Sequence, residues 1–129
     1  MSDEFKDARK RILVDFDGVI HKNDHWNWNG GKCTGPVIAG AKEAIERLTA
    51  GGWEVVIFTA RDDRSIITQV EPWLKENKIF KGYICDYGTK AGSSGEMLRV
   101  TNRKEPAQFY VDDRAYRFTS WDDVTRLVS

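Results

Sequence analysis

Acidic side chains follow two short apolar runs of this sequence. Asp15 and Asp17 end and follow the run RILVD, and Asp112 and Asp113 follow the run FYV near the other end of the chain. If both runs are parallel strands of one sheet, their carboxyl ends meet at one edge and bring the four carboxylates together. Such a cluster repels itself in a cleft of low dielectric constant, and hard oxygen ligands suit Mg²⁺. The sequence therefore predicts a magnesium site at this edge.

Two further polar groups belong to the same predicted edge of the sheet. Thr59 follows a third apolar run, WEVVIF, and Lys104 lies eight residues before Asp112. Aspartates and threonines after strands commonly form turns or cap helices, and a lysine is commonly a solvated surface residue. That ordinary explanation suits any one of these residues. It is much weaker for all three strand ends together, which carry four carboxylates, a hydroxyl and a nearby cation.

The elements that must position these residues alternate between strands and helices. Apolar runs predict four strands: Arg11–Asp15, Trp53–Phe58, Tyr83–Cys85 and Phe109–Asp112. Helical patterns predict three helical segments: an apolar stripe from Val37 to Leu48 ended by Gly51 and Gly52, a segment capped by Asp62 or Asp63 and kinked or divided at Pro72, and a last helix opened by Ser120. This alternation favours an α/β fold with a largely parallel sheet.

Composition limits the class of protein. The 129 residues suit one domain spanning residues 1–129, and equal numbers of acidic and basic residues disfavour a strongly basic nucleic-acid-binding module. The two cysteines, Cys33 and Cys85, form no disulfide framework, although their pairing stays open. No apolar run approaches the roughly 20 residues of a membrane span or the core of a signal peptide. We expect a cytoplasmic protein with no membrane partner.

The motifs, in their order, resemble those of the haloacid dehalogenase superfamily of phosphohydrolases. DFDGV, FTAR and YVDDRA each follow an apolar strand, and the resemblance extends from Arg11 to about Phe118. It implies a three-layer Rossmann-like α/β fold with a central, mostly parallel sheet. It also implies an Mg²⁺-dependent phosphomonoesterase. Val19 stands where phosphatases of this superfamily often have threonine, a variant that removes no catalytic group.

The resemblance assigns a role to each residue. Asp15 is the nucleophile that becomes an aspartyl-phosphate, and Asp17 is the general acid and base. The metal ligands are the Asp15 carboxylate, the Asp17 backbone carbonyl, Asp113, and Asp112 directly or through water. The phosphate-binding groups are Thr59, the backbone N–H groups from Ala60 onward, and Lys104. Lys90, 22 residues before Asp112, is the less favoured alternative to Lys104.

The resemblance also implies that no cap domain covers the site. Residues 18 to 58 number only 41 and already supply a loop, a helix and a strand. The interval from Ala60 to Arg103 must likewise supply a helix, a strand and a loop. A flap of about residues 18–35, containing His25, Trp26, Trp28 and Lys32, would cover the opening. Its tryptophans either pack on the domain or shield the site and stack on substrate.

Other functions stay open on the sequence alone. A phosphotransferase or phosphomutase of the same superfamily would deliver the phosphoryl group to an acceptor other than water, and a non-catalytic phosphate-binding protein would use the same groups. A receiver domain is excluded by motif order, because its acidic pair follows the first strand and its lysine comes last. The substrate is a phosphorylated small metabolite, a nucleotide or a nucleic-acid end, and a homo-oligomer is an open alternative.

Overall fold

The computed structural model describes residues 10–23, 31–80, 83–84 and 97–128. These ranges contain five strands, which in chain order are β1 Arg11–Asp15, β2 Glu54–Phe58, β3 Tyr83–Ile84, β4 Met97–Thr101 and β5 Phe109–Val111. They form one sheet in the order β3-β4-β2-β1-β5, and all four strand pairings are parallel. The α/β class and the parallel sheet are therefore confirmed for the described residues.

Strand β4 is absent from the sequence-based prediction, which gave only one strand between Ala60 and Arg103. The structure has two, because Met97–Thr101 inserts between β3 and β2 and pairs with both. Arg99 interrupts the apolar run of β4, and no element is assigned to these residues from the sequence. The Arg99 side chain is nevertheless buried, because the carboxylates of Glu54 and Glu105 pair with it.

Helix α1 covers Ala41–Ala50, a shorter span than the stripe from Val37 predicted. Gly40, with a φ of 89°, lies in the left-handed region and separates the helix from the preceding chain. Val37 instead forms an antiparallel bridge with His21. At the other end the prediction is confirmed, since Gly51 caps the helix and its N–H donates to the carbonyls of the last turn.

The helical segment after β2 is continuous through three conformations: α2 Asp63–Ser65, a π-helical segment Ile66–Val70 and α3 Glu71–Glu76. Asp62 is the cap, since its Oδ1 accepts a hydrogen bond from the Ser65 N–H at 2.8 Å. Pro72 lies at the beginning of α3, directly after the π-helical segment. The predicted break at Pro72 is thus absorbed by a π-helical turn.

The two faces of the sheet are buried differently. One face carries apolar side chains that pack in a single core with the helical segments; its members on the sheet are Ile12, Val14, Val55, Ile57, Leu98 and Val100. The other face carries a network of buried charged side chains on strands β1, β2 and β4. Arg11 Nε donates to Glu54 Oε1 at 2.9 Å, and Arg99 donates to both Glu54 and Glu105. This network explains how Arg11 is only 1% exposed without an isolated buried charge.

The C-terminal part is the most exposed region of the fold. Strand β5 lies at one edge of the sheet among the described residues, and its three residues are all exposed. Helix α4, Trp121–Val128, has no buried residue. The predicted opening at Ser120 is confirmed, because its Oγ accepts a hydrogen bond from the Asp123 N–H at 3.1 Å. Within the described ranges, every helix is too short or too polar to cross a membrane.

Candidate active site

Three of the four predicted carboxylates meet at the carboxyl edge of the sheet. Strands β1 and β5 are neighbours, with Val14 opposite Val111, so that Asp15 and Asp112 leave the sheet side by side. One carboxylate oxygen from each of Asp15, Asp112 and Asp113 lies within 4.8 Å of the others. Oxygens at this spacing can ligate one cation, and hard carboxylate ligands suit Mg²⁺ or Ca²⁺.

The electrostatics of Asp15 favour a cation at this cluster. Burial, followed by the negative charge of Asp112, raises the pKa of Asp15 to about 6 from an ordinary 3.8. Asp113 and Asp17 raise it further, while a hydrogen bond from the Phe16 backbone acts in the opposite direction. A divalent cation would stabilise the ionised form against this repulsion. The donor set therefore fits the metal that the sequence implies.

A glycine makes room for one carboxylate of the cluster. Gly18 has a φ of 90°, and a Cβ built on it would lie 2.3 Å from Oδ2 of Asp113. Its N–H donates to the carbonyl of His21 at 2.9 Å, which closes the turn after β1. The backbone conformation thus favours glycine here, and any side chain at this position would displace the carboxylate of Asp113.

The carboxylate of Asp17 is not part of the acidic cluster. It accepts hydrogen bonds from Arg61 Nε at 2.8 Å, Arg61 Nη2 at 3.0 Å and His21 Nδ1 at 2.9 Å. Burial pushes its pKa up, but these hydrogen bonds and the charge of Arg61 outweigh burial and hold the pKa below its ordinary value. Only its backbone carbonyl is expected to be a metal ligand, and that stays a prediction.

Thr59 lies at the end of β2, as predicted, but it is only 1% exposed. Its N–H donates to the Thr101 carbonyl at 3.0 Å, and its Oγ1 accepts a hydrogen bond from the Arg61 N–H at 3.2 Å. The backbone N–H groups of Thr59 and Arg61 are thus already donating within the fold. Ala60, between them, is exposed. Phosphate binding by Thr59 and Ala60 stays a prediction.

Lys104 lines a cleft beside the acidic cluster. The cleft encloses about 100 Å³ between Asp15, Asp112 and the lysine, and its remaining walls are mainly apolar: Leu13, Phe58, Tyr110, Val111 and Ala115. Because one water occupies roughly 10–15 Å³ on this measure, the cleft has room for a phosphoryl group. The Lys104 Nζ lies 4.9 Å from the centroid of the Tyr110 ring, a cation–π distance. Lys90 lies outside the described residues.

The base of the predicted flap is a short antiparallel ladder. The Lys22 N–H donates to the Pro36 carbonyl at 2.9 Å, and the Ile38 N–H donates to the Ile20 carbonyl at 2.8 Å. Within the flap, Lys32 is exposed and Cys33 is a free thiol. His25, Trp26 and Trp28 lie outside the described residues, as does Cys85.

Two residues at the site have no role assigned from the sequence. Arg61 belongs to the FTAR motif, and His21 follows Asp17 by four residues, yet the sequence analysis connects neither with Asp17. The spacing of His21 could have predicted its contact with Asp17, because residues four apart in a tight turn lie close together. No local signal predicts the contact of Arg61, which lies 44 residues from Asp17 in sequence and reaches it only through the pairing of β1 with β2.

Comparison of the chain with protein-family models, curated proteins and solved structures gives no match.

Proposed function

We propose that this protein is a magnesium-dependent phosphomonoesterase of the haloacid dehalogenase type, with a three-layer fold and no cap. The observation that carries the proposal is the convergence of Asp15, Asp112 and Asp113, within 4.8 Å, at the carboxyl edge of a parallel sheet. Ligands of open α/β sheets bind at this edge. The motif order DFDGV, FTAR and YVDDRA supports the same conclusion.

In the proposed reaction Asp15 attacks the phosphorus atom. A bond forms between its carboxylate oxygen and phosphorus as the bond from phosphorus to the ester oxygen breaks, which leaves an aspartyl-phosphate and an alcohol. Water then hydrolyses the aspartyl-phosphate to inorganic phosphate and restores Asp15. Asp112 and Asp113, together with Asp15, would hold Mg²⁺, which supplies positive charge against the phosphate oxygens. Lys104 adds a second positive charge at the cleft.

Asp17 is the proton carrier in this scheme. Because hydrogen bonds hold its pKa below the ordinary value, it enters the first step as a carboxylate. It accepts the proton of a phosphate monoester monoanion and passes it to the leaving oxygen. In the second step it accepts a proton from the attacking water and gives it to the departing phosphate, which leaves as dihydrogen phosphate, so that Asp17 returns to the carboxylate form.

The experiment measures inorganic phosphate released from a panel of phosphorylated metabolites, nucleotides and oligonucleotides with 3′- or 5′-phosphates, with Mg²⁺ or with a chelator. We expect Mg²⁺-dependent release, and its complete loss in Asp15→Asn, where the amide is nearly isosteric but cannot attack phosphorus. Asp122→Asn, at an exposed aspartate of α4, is the matched control and should stay active.

Three results would contradict the proposal. Phosphate retained on the wild-type protein without release would indicate a receiver-like phospho-acceptor. Transfer to an added alcohol or sugar phosphate in place of water would indicate a phosphotransferase or mutase. Binding of phosphate esters with no turnover at all would indicate a non-catalytic binding protein.

A further inference from the structure

The carboxylate of Asp17 is held by two side chains that come from different elements. His21 belongs to the turn after β1, and Arg61 follows β2. The Arg61 guanidinium donates from Nε to one Asp17 oxygen and from Nη2 to the other, which is the bidentate geometry that fixes a carboxylate in one plane. His21 Nδ1 adds a third bond to Oδ1. We name Arg61 and His21 together the Asp17 clamp.

A backbone contact sets the tautomer of His21. The Gly35 N–H donates to His21 Nε2 at 2.9 Å, so that this nitrogen is an acceptor and carries no proton. The ring proton therefore lies on Nδ1 and is donated to Asp17. Gly35 also cannot be replaced without disturbing this contact, since an added Cβ would lie 1.9 Å from the Lys22 carbonyl oxygen.

Both members of the clamp are themselves fixed. The His21 ring is 2% exposed, stacks on Phe16 with 5.2 Å between ring centroids and meets Trp73 edge-on at 5.0 Å. Arg61 is 7% exposed, and its Nη1 donates to the Gly31 carbonyl and to Ser65 Oγ. Side chains held in this way have little freedom to let Asp17 rotate.

The contacts of the clamp also reach the base of the flap. Arg61 contacts the carbonyl of Gly31, and His21 contacts the N–H of Gly35. Both glycines belong to the returning half of the flap. The position of the flap base and the orientation of the Asp17 carboxylate therefore depend on the same two side chains.

A buried arginine–aspartate pair is by itself weak evidence for anything beyond folding. Here, however, both clamp residues hydrogen-bond the one carboxylate that the proposed reaction needs for proton transfer. We propose that His21 and Arg61 are positioning residues that hold the Asp17 carboxylate in the one orientation from which it transfers the proton of the proposed reaction. This inference rests on the proposed phosphomonoesterase function.

The test compares two substrates that differ in their need for proton transfer. An alkyl phosphate such as glycerol phosphate has a poor leaving group, which must be protonated as it departs. In p-nitrophenyl phosphate the leaving group, p-nitrophenolate, departs without a proton. Proton transfer by a positioned side chain contributes roughly 10²–10⁴-fold. We expect Arg61→Lys, which keeps the charge but loses the bidentate geometry, to lower kcat for the alkyl ester roughly 10- to 100-fold while lowering kcat for the aryl ester by less than about 3-fold.

Two substitutions at His21 separate its two contacts. Asn at position 21 places an amide N–H near the position of Nδ1 and keeps the donor to Asp17, whereas Gln places its carbonyl near Nε2 and keeps the contact with Gly35. We expect His21→Gln to shift the alkyl-to-aryl ratio of kcat as Arg61→Lys does, and His21→Asn to preserve most of it. The ¹⁵N signals of the His21 ring, measured without substrate, should show the Nδ1–H tautomer, and Asp17→Asn should shift that Nδ1 signal.

Arg99→Lys is the matched control, because Arg99 is also buried and ion-paired but belongs to the charge network on the sheet face. It should lower the melting temperature and leave the alkyl-to-aryl ratio unchanged. Equal losses on both substrates in the clamp variants, or an Nε2–H tautomer of His21, would overturn the positioning role alone. A wild-type protein that hydrolyses neither ester would overturn the proposed function and this inference together. If Arg61→Lys does not fold, the alkyl-to-aryl ratios of kcat in His21→Gln and His21→Asn test the positioning role.

Discussion

Alanine at Gly18 should weaken metal binding more than it weakens the fold. An alanine Cβ here would lie 2.3 Å from Oδ2 and 2.8 Å from Cγ of Asp113. Since carbon and oxygen atoms in contact are normally separated by about 3.5 Å, the Asp113 carboxylate must retreat by about 1 Å. Mg²⁺ requires near-ideal octahedral geometry with short bonds, so a ligand displaced this far is largely lost.

Gly52→Ala supplies the control for backbone strain. Gly52 has the same φ of 90°, but a Cβ added to it would have nothing within 4 Å. Each substitution should cost about 1–2 kcal/mol from the left-handed backbone alone. For a chain of this length, that corresponds to a fall in melting temperature of roughly 4–7 °C. The difference between the two variants therefore isolates the displacement of Asp113.

The assays are thermal unfolding in a chelator and calorimetric titration with Mg²⁺. We expect Gly18→Ala to raise the Mg²⁺ dissociation constant about 10- to 100-fold, the usual effect of disturbing the support of a metal ligand, while Gly52→Ala binds like the wild type. Wild-type Mg²⁺ affinity in both variants would refute the assignment of Asp113 as a ligand. Equal losses of affinity in both would show that strain, not the contact with Asp113, governs the site.

The remaining predictions concern the metal, the anion-binding lysine and pH. A chelator should abolish phosphate release and Mg²⁺ should restore it, whereas Ca²⁺ should bind but inhibit because its larger, looser oxygen shell misplaces the nucleophile. Lys104→Ala should raise KM for phosphate esters roughly 10-fold. The control Arg103→Ala, at an exposed neighbouring residue, should leave KM unchanged. If Lys90→Ala raises KM and Lys104→Ala does not, the phosphate-binding lysine is Lys90. Without Mg²⁺, the raised pKa of Asp15 contributes stability that is present below about pH 4 and lost as pH rises through about 6. Urea unfolding of the wild type should therefore show this contribution, and the difference in stability between the wild type and Asp15→Asn should change over the same pH range. If Asp17 enters as a carboxylate, kcat/KM should fall as the substrate loses its second proton near pH 6, and a profile indifferent to the substrate's own pKa would contradict that step.

The fold could be predicted from sequence where a strand is an uninterrupted run of buried apolar residues. Strands β1 and β2 are nearly uninterrupted apolar runs, which is typical of parallel strands covered on both faces. Strand β4 was missed because Arg99 stands in its centre. Its burial depends on Glu54, which is 45 residues away, and on Glu105. A pairing of this kind exists only once the register of the sheet is known.

The candidate site divides in the same way. Asp15, Asp112 and Asp113 could be brought together from the sequence because a topological rule, the shared carboxyl edge of parallel strands, does not require side-chain detail. The direction in which a side chain points after the strand ends can be predicted only when its side-chain contacts are known. Asp17 was expected near the nucleophile, but its carboxylate pairs with Arg61 on the neighbouring strand end.

The two aspartates of DFDGV illustrate how one turn can prepare two different carboxylates. Asp15 lies among acidic groups, and its pKa is raised to about 6, whereas Asp17, two residues later, is surrounded by donors that lower its pKa. Environments that push the pKa values of neighbouring groups apart are how active sites assign different roles to the same residue type. A cation bound by Asp15 would favour the ionised nucleophile, while the Asp17 clamp already holds a base in one orientation. In the proposed reaction a metal would therefore activate the first aspartate, whereas side chains of the chain itself hold the second.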